Sequence, residues 1–461
     1  MGGKPGRADR HHPVGTPGSR ALPRRALLAG LGLTALAGAG WVREGGGEEW
    51  PARPGGAYPG DVATSWFDHA LDLVRTTPRF SPPVGARALG YAGIALYEAI
   101  VPGMPRHRSL ATQLKDFQPP PPAGAHAYHW PTVASTAVAA LLRHLVPTAP
   151  AATRARGLAL EVGHLAEFRS ATPPAVFVRS IERGIAVADH VFAWSKTDGG
   201  HEGDRRGPVP YTPPAGPGLW VPTPPRFQPA LLPTWGQNRP FVLSAERECP
   251  AAPPAVYSTG GRSDFHAEVL RVYHTVNRLT PEQRAIALFW SDDPGQTVTP
   301  PGHCVSILTQ VLRATAAPLD VAAEAYAKVG IAVTDAFIDC WRTKYRVNLL
   351  RPVTYIRSEI DPDWTPPLVT PPFPEHTSGH SVQSAAAAEV MTDLFGRVTF
   401  TDRTHESRGL PARAFASFWH AAREAAISRL YGGIHFLGAI TAGLEQGRCI
   451  GRAVAALRTR M

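Results

Sequence analysis

Apolar residues recur along this chain at intervals of three and four positions, which is the spacing of amphipathic helices. Between residues 61 and 75, for example, Val62, Trp66, Ala70 and Leu73 fall on one helical face. Runs in which Val, Ile or Thr alternate with polar residues are almost absent, so little β-structure is expected. The pattern predicts an all-α protein built from helical bundles. The predicted helices span residues 61–75, 83–101, 132–145, 151–168, 174–194, 264–277, 280–290, 302–316, 319–345, 380–395, 411–431 and 434–458.

One long segment breaks this pattern. Fourteen prolines lie between Pro208 and Pro254, and proline lacks the backbone donor that helices and central strands need. The same segment contains the aromatic residues Trp220, Phe227, Trp235 and Phe241. These aromatic side chains suggest that the segment packs on the helical body as a strap or lid. A plain connector between two helical halves is the alternative.

The chain is therefore expected to have four parts. They are a signal segment over residues 1–39, an N-terminal helical half over 40–200, the proline-rich strap over 201–260 and a C-terminal helical half over 261–461.

The first forty residues have the features of a secretory signal. Arg24 and Arg25 precede an apolar run from Ala26 to Ala37, and small residues surround its end. Paired arginines before a short apolar core are typical of twin-arginine export, so we expect a protein that is exported to the periplasm or secreted. A membrane anchor is the alternative, but the run from Ala26 to Ala37 has twelve residues and a span needs roughly twenty.

Export bears on the four cysteines, which are Cys249, Cys304, Cys340 and Cys449. An oxidising compartment would permit disulfides among them, and buried free thiols are an equally favoured alternative. No later stretch of about eighteen uncharged apolar residues occurs, so no stable membrane span is expected.

A net charge of +10 would ordinarily suggest a nucleic-acid-binding protein, but the distribution of the charge weakens that interpretation. Residues 1–39 contain six basic residues and one acid, a balance of +5, so the remaining 422 residues carry the other +5. Because no later run of Lys or Arg occurs, a nucleic-acid partner is not expected. Five of the 47 basic residues are lysines, so a lysine beside other candidate groups is informative.

Two short stretches in the last third of the chain combine basic residues with turns. Lys344 closes a predicted helix, and Arg351 stands seven positions later in the following turn. Further on, Arg429 ends a predicted helix and His435 begins the next one. Alone, each stretch is compatible with a solvated helix end or a structural histidine.

A third stretch, residues 371–381, places Ser378, Gly379 and His380 at the start of an alanine-rich helix. A helix N-terminus presents unpaired N–H groups and the positive end of the helix dipole, and it binds anions for that reason. Serine is also an ordinary N-cap residue. Glycine in the first turn lowers helix stability, but it lets an oxyanion approach the backbone closely.

Together the three stretches suit a tetrahedral oxyanion. Guanidinium groups bind its oxygens in a bidentate manner, and an ammonium group adds a point charge. Three buried cations require an anion or nearby acids to balance them. Of the two histidines, one would attack or ligate the central atom while the other moves protons.

In the order Lys-x6-Arg-Pro, Ser-Gly-His and Ser-Arg-x5-His, these motifs resemble those of the vanadium-dependent haloperoxidase and type 2 phosphatidic acid phosphatase superfamily. Residues 289–303 and 217–225 are similar to bacterial members of the haloperoxidase branch, and the likeness extends from roughly Asp61 onward. The resemblance implies an all-helical fold with a four-helix bundle around the site.

The resemblance also implies roles for individual residues. The residues that would surround vanadate or phosphate are Lys344, Arg351, Ser378, Gly379, His380, Arg429 and His435. His435 would be the axial ligand of vanadium, or the phosphorylated nucleophile of a phosphatase. His380 would be the general acid–base group.

Two aromatic residues favour the haloperoxidase branch. Trp341 and Phe373 are similar to residues that line the halide side of the pocket in chloroperoxidase-type members. An apolar wall leaves a halide poorly hydrated and easier to oxidise. Ordinary core packing is the alternative role of these two side chains.

The sequence departs from the family pattern at two positions. Thr377 stands where the family has proline, and Ala439 stands four residues after the last histidine, where an acid is usual. The second change leaves open how the site histidine and arginine are held. Asp293, or its neighbour Asp292, is a substitute acid, which predicts a hydrogen bond between Asp293 and Arg429.

Three functions are compatible with these observations. The first is a vanadate-dependent haloperoxidase, which oxidises a halide with hydrogen peroxide to a hypohalous-acid-like species. The second is an acid phosphatase of the same superfamily with a phosphohistidine intermediate. The third, suggested mainly by Ala439, is a non-catalytic homologue.

Overall fold

Helices account for nearly all regular structure in the described part of the chain. The computed structural model describes residues 52–206, 210–244 and 249–461, together with Gly2 and Trp50. Apart from Gly2, the predicted signal segment lies outside the described residues. The helices are α1 (Asp61–Thr76), α2 (Pro82–Ile100), α3 (Trp130–Leu145), α4 (Ala151–Ser170), α5 (Pro174–Ser195), α6 (Asp264–Asn277), α7 (Pro281–Phe289), α8 (Thr299–Ala314), α9 (Leu319–Val347), α10 (Pro352–Glu359), α11 (Gly379–Phe395), α12 (Phe418–Tyr431) and α13 (Leu437–Ala455).

The all-α prediction is confirmed, with one local correction. Strand β1 (Phe400–Asp402) pairs antiparallel with β2 (Arg413–Phe415) to form a short hairpin. The predicted helix over 411–431 is therefore wrong in its first seven residues, because cross-strand pairing brings the rings of Phe400 and Phe415 together at 5.6 Å. The helix begins after Ser417, whose hydroxyl accepts a hydrogen bond from the backbone of His420. The short helix α10 was not predicted.

Helix α9 is the centre of the molecule. It packs against α2 on one side and against α11 on the other, while α11 packs in turn on α12 and α13. Its residues 322–341 are buried on every face, as expected of a helix enclosed by other helices. Gly93 lets α2 approach closely, because a Cβ there would lie 2.4 Å from the carbonyl oxygen of Tyr326. Helix α9 is therefore shared by the helices that pack on its two sides.

Residues 51–461 form one compact unit. The predicted division of this unit into two halves and a strap stays a prediction.

The described part of the proline-rich segment crosses α9 and packs on it. Trp220, Trp235 and Phe241 are buried, whereas Phe227 is 63% exposed, contrary to its expected packing role. The carboxylate of Asp335 on α9 accepts hydrogen bonds from the backbone N–H groups of residues 241, 242 and 243 at 2.7–3.2 Å. These three bonds fix residues 241–243 of the segment to the central helix.

The cysteines divide between the two expected alternatives. Cys249 and Cys449 form a disulfide that joins the end of the proline-rich segment to α13, while Cys304 and Cys340 are buried free thiols.

One described helix, Pro82–Gly103, has the length and mean hydropathy (1.2) of a membrane span, and its apolar window is 100% buried inside the protein. It therefore has the surroundings of a core helix.

The disulfide makes a testable contribution to stability. It closes a loop of 200 residues, and cross-links of this kind contribute about 2–4 kcal/mol. We expect the double variant C249S/C449S to unfold at a temperature several degrees lower, and reductant to lower the unfolding temperature of the wild type but not of the variant. A wild-type transition that reductant leaves unchanged, although the thiols have become alkylatable, contradicts this contribution.

Candidate active site

Five of the predicted site residues stand at the ends of helices. Lys344 lies in the last turn of α9 and Arg351 precedes α10. Ser378 is the N-cap of α11, Arg429 lies in the last turn of α12, and His435 stands two residues before α13. The packing of these helices brings the five residues together, although almost a hundred positions separate the first from the last.

Contacts and charge effects show this convergence. Nη1 of Arg351 lies 3.2 Å from Nε2 of His435. The ring of Phe373 lies 4.9 Å from the guanidinium carbon of Arg351 and 5.0 Å from Nζ of Lys344. Burial, together with the charges of Arg351, Lys344 and Arg429, holds the pKa of His435 well below its usual range.

The site opens into a cavity of about 930 Å³. Gly379, His380, Arg429 and His435 line it, and Trp341 and Phe373 form part of its wall. Residues 228–235 of the proline-rich segment line it as well, so that segment borders the candidate site.

Backbone carbonyls hold two of the buried cations. Nζ of Lys344 donates to the carbonyl oxygens of residues 374 and 375 at 2.9 Å and also to that of Thr377. Arg351 donates to the carbonyls of Phe373 at 2.8 Å and Ile434 at 2.7 Å. Burial lowers the pKa of Lys344 to about 7 and that of Arg351 to about 10.

Arg429 is held differently from the prediction. It donates to the hydroxyl of Ser428 at 2.9 Å and to the carbonyl of Trp290 at 2.6 Å. Among the described residues, neither Asp293 nor Asp292 forms a hydrogen bond or ion pair with Arg429, so the predicted bond from Asp293 is not formed. Asp293 is exposed at the border of the cavity, where its charge still acts on the pKa of Arg429.

Glu375 holds the site histidine, and sequence analysis missed it. Its Oε1 accepts hydrogen bonds from Nδ1 of His435 at 2.8 Å and from the backbone N–H of Phe436 at 2.9 Å. The proton of His435 is therefore on Nδ1, which leaves the lone pair of Nε2 directed away from the acid. The sequence feature that could have indicated Glu375 is its place inside the stretch 371–381, which also contains Ser378, Gly379 and His380. The family pattern instead places the acid at the position of Ala439.

The N-terminus of α11 has unsatisfied donors. Ser378 is fully buried, and its hydroxyl has no hydrogen-bond partner among the described residues, although it stands at an N-cap position. A Cβ on Gly379 would meet nothing closer than 3.9 Å, so the backbone faces open space. Nε2 of His380 also lacks a partner among the described residues. The hydroxyl of Ser378 and the backbone at Gly379 fit an oxyanion that accepts hydrogen bonds.

The charge balance points the same way. Lys344, Arg351 and Arg429 are at most 2% exposed. Glu375 is the acid that acts on the pKa of the first two. Burial brings the pKa values of both Lys344 and Glu375 to about 7, so these two charges weaken together while the arginines keep theirs. A buried excess of positive charge is costly without a guest anion. The described residues therefore fit an oxyanion with at least one negative charge.

A second group of buried ionisable residues lies beside His380. His303, near the start of α8, has Nδ1 3.0 Å from a carboxylate oxygen of Asp292 and Nε2 2.7 Å from one of Asp402. We refer to these three residues as the Asp–His–Asp cluster. Nε2 of His405 lies 3.1 Å from Asp292. The other carboxylate oxygen of Asp292 is 3.9 Å from Nε2 of His380.

The two predicted halide-side residues are together. The rings of Trp341 and Phe373 lie 4.9 Å apart, and Phe337 lies 5.4 Å from Trp341. All three line the cavity, which gives the oxyanion site an apolar wall.

Comparison with known proteins links this geometry to one group of enzymes. The family model for the second helical-bundle domain of VCPO matches residues 324–461. The chain is 24% identical over 399 residues to vanadium chloroperoxidase of Curvularia inaequalis, a match that covers 72% of this chain and 65% of that relative. The chain thus spans slightly less than two thirds of the length of this curated relative.

Solved structures extend the comparison. The crystal structure described as the first bacterial vanadium-dependent iodoperoxidase has 35% identity and a TM-score of 0.80, covering 90% of this chain and 99% of its own. The holo form of a bacterial vanadium-dependent chloroperoxidase has a TM-score of 0.64 and 15% identity, covering 83% of this chain and 93% of its own. The second match supports the fold alone.

The role of Glu375 is testable. In E375Q the amide no longer supports the basicity of His435, and loss of such supporting groups typically costs about 10–100-fold in affinity for the bound group. We expect the dissociation constant of orthovanadate, measured by isothermal titration calorimetry, to rise by about that factor.

Glu268 provides a matched control, because it accepts a hydrogen bond from the backbone of Gly438 close by and not from His435. E268Q is expected to bind orthovanadate like the wild type. Equal affinity in E375Q and the wild type would show that Glu375 does not support the site histidine.

Proposed function

The chain belongs to the vanadium haloperoxidase family, and from that premise we propose that it is a vanadate-dependent haloperoxidase, which uses hydrogen peroxide to oxidise a halide. The observation that carries the proposal is the excess of buried positive charge around His435, with unsatisfied donors beside it. Membership of the family supports an enzyme of the peroxidase type, and the relatives imply vanadate as the cofactor.

The residues present suit vanadate. Lys344, Arg351 and Arg429 would neutralise its charge, while the hydroxyl of Ser378 and the backbone of Gly379 would donate hydrogen bonds. Nε2 of His435 would be the protein ligand of the metal. Bound vanadate would supply a Lewis acid that activates hydrogen peroxide without a change in oxidation state.

Glu375 keeps His435 in the tautomer that this role needs. Because Nδ1 donates to Glu375, Nε2 retains its lone pair. In the present structure Arg351 points a donor at that nitrogen, so it would turn its hydrogen bond to the bound oxyanion when the ligand bond forms.

His380 is placed to move protons. Its Nε2 has no partner among the described residues and the ring lines the cavity. Burial and the charge of Arg429 hold its pKa well below the usual range, so the ring is neutral near pH 7 and Nε2 accepts a proton. We propose that it takes a proton from incoming hydrogen peroxide and returns it to the departing oxygen.

The apolar wall suits the halide. Trp341, Phe373 and Phe337 offer little hydration to an anion beside them, and a poorly hydrated halide loses electrons more readily. Because the 35% identical relative is described as an iodoperoxidase, iodide is the first halide to test.

We also propose that the protein is exported. The disulfide between Cys249 and Cys449 suits an oxidising compartment, and the twin-arginine pattern at the N-terminus supplies a route.

A pair of assays on purified protein tests the function. After removal of bound anions, we expect halogenation of a dimedone probe with hydrogen peroxide and iodide or bromide to appear only when orthovanadate is added. The halogenation activity of H435A should be at least about a thousandfold lower than that of the wild type, because the metal ligand is gone. The exposed histidine on α6 gives the control H274A, which should retain full activity.

Phosphate ester hydrolysis separates the two enzyme hypotheses. Vanadate-inhibited hydrolysis of a phosphomonoester without any halogenation would favour the phosphatase and overturn the haloperoxidase proposal. Halogenation that persists in H435A would overturn the site assignment.

A further inference from the structure

The protonation state of His303 follows from its partners. Nδ1 lies 3.0 and 3.1 Å from the two oxygens of Asp292, and Nε2 lies 2.7 Å from an oxygen of Asp402. Carboxylate oxygens accept hydrogen bonds, so both ring nitrogens carry a hydrogen and the ring is an imidazolium. The two carboxylate charges raise the pKa of His303 to about 10, despite its burial.

Hydrogen bonds to the second oxygen of Asp402 favour the ionised form of this group. It accepts hydrogen bonds from the backbone N–H of Thr404 at 2.9 Å and from the Thr404 hydroxyl at 2.6 Å. Asp292 accepts in the same way from His405 at 3.1 Å. The positive charge of His303 and the hydrogen bonds from Thr404 lower the pKa of Asp402 despite its burial, so the proton resides on His303.

We propose that His303 is a positioning residue: its positive charge holds Asp292 ionised and facing His380, and thereby sets the pH range in which His380 moves protons. This inference rests on the proposed function, in which His380 is the acid–base group.

The surroundings of Asp292 support this role. His303 and His405 fix the carboxylate from the side away from the cavity, while its other edge is 3.9 Å from Nε2 of His380. The charge of Asp292 raises the pKa of His380, whereas the charges of Arg429 and His303 lower it. Asp293 and Arg429 are the further charged groups that act from neighbouring segments.

Removal of the imidazolium has a defined consequence. Asp292 is 2% exposed, and burial of a carboxylate favours its protonated form. Without His303 it would take up a proton at a higher pH and would cease to support His380.

A metal ion is the competing occupant. Asp292, His303 and His405 place potential ligand atoms within 4.8 Å of one another. Hydrogen bonds explain the geometry better than a bound metal ion does. The ring nitrogens of His303 and His405 lie 3.0–3.1 Å from carboxylate oxygens of Asp292, which is hydrogen-bond distance.

The first test uses the wild-type protein without vanadate. ¹⁵N-histidine NMR should show one histidine with both ring nitrogens protonated and no titration between about pH 6 and pH 8.5, as expected of a pKa near 10. The assignment comes from the loss of this signal in H303Q. A neutral His303 at pH 8, or zinc or another divalent metal at one equivalent by elemental analysis, overturns the proposal.

The second test compares two matched variants. Glutamine can keep an N–H donor toward Asp292 in both variants, but H303Q alone removes the imidazolium that lies between the two carboxylates. In H303Q the pKa of the buried Asp292 rises, so protonation of Asp292 rather than of His380 sets the acid limb of the pH dependence of kcat for iodide oxidation. We expect this limb to move up by about one pH unit or more, with no shift in H405Q. Equal profiles for H303Q and the wild type contradict the proposal.

A third variant covers failure of H303Q to fold. D402N retains the shape of the cluster but removes one carboxylate charge, so the imidazolium signal of His303 should begin to titrate below about pH 8.5. An imidazolium that stays untitrated in D402N contradicts the proposed charge balance. If the wild-type protein binds vanadate but oxidises no halide, the proposed function is overturned. The charge state of His303 is still tested in that case, because the NMR experiments need no turnover.

Discussion

Buried positive charge is the constraint on which the site depends. Lys344, Arg351 and Arg429 are almost completely removed from water, and isolated charges in such surroundings are very costly. The protein meets part of this cost with carbonyl oxygens and with Glu375. A guest oxyanion supplies the remainder. Both the affinity for the oxyanion and the stability of the surrounding loops therefore depend on how well the buried positive charges are neutralised.

Helix ends provide the geometry. A helix leaves N–H groups unpaired at its start and carbonyl groups unpaired at its end, and the site lies where several such ends meet. The segment 371–378 is central, because its carbonyls hold Lys344 and Arg351 while its glutamate holds His435. One loop therefore fixes two cations and the ligand histidine together. The close packing of α9 against α2 and α11 keeps these positions rigid.

Much of the site could be predicted from sequence, because the motifs have fixed spacing and a fixed order. Lys344 and Arg351 lie near His435, where their charges act on its pKa, and the predicted roles of the site residues stay predictions. Glu375 could not be predicted in this way, because the family pattern places the supporting acid at position 439. At that position Ala439 contributes its backbone carbonyl, which accepts a hydrogen bond from the N–H of Ser378 at 3.2 Å.

Other features depend on contacts between distant segments, which a single sequence does not reveal. Asp402 is the last residue of strand β1, which pairs with a segment that helical periodicity assigned to a helix, so the sequence did not indicate its approach to His303. The pairing of Cys249 with Cys449 likewise joins residues 200 positions apart. The exposure of Phe227 shows the converse limit, since an aromatic residue in a loop need not be buried.

The central claim is that one tetrahedral oxyanion is enclosed by these three cations and bonded to His435. A crystal structure of the protein soaked with orthovanadate, with the anomalous signal of vanadium used for identification, tests it most directly. We predict a single strong vanadium peak bonded to Nε2 of His435, with Lys344, Arg351 and Arg429 within hydrogen-bond distance of its oxygens. A peak elsewhere, or no peak in this site at saturating vanadate, would contradict the account.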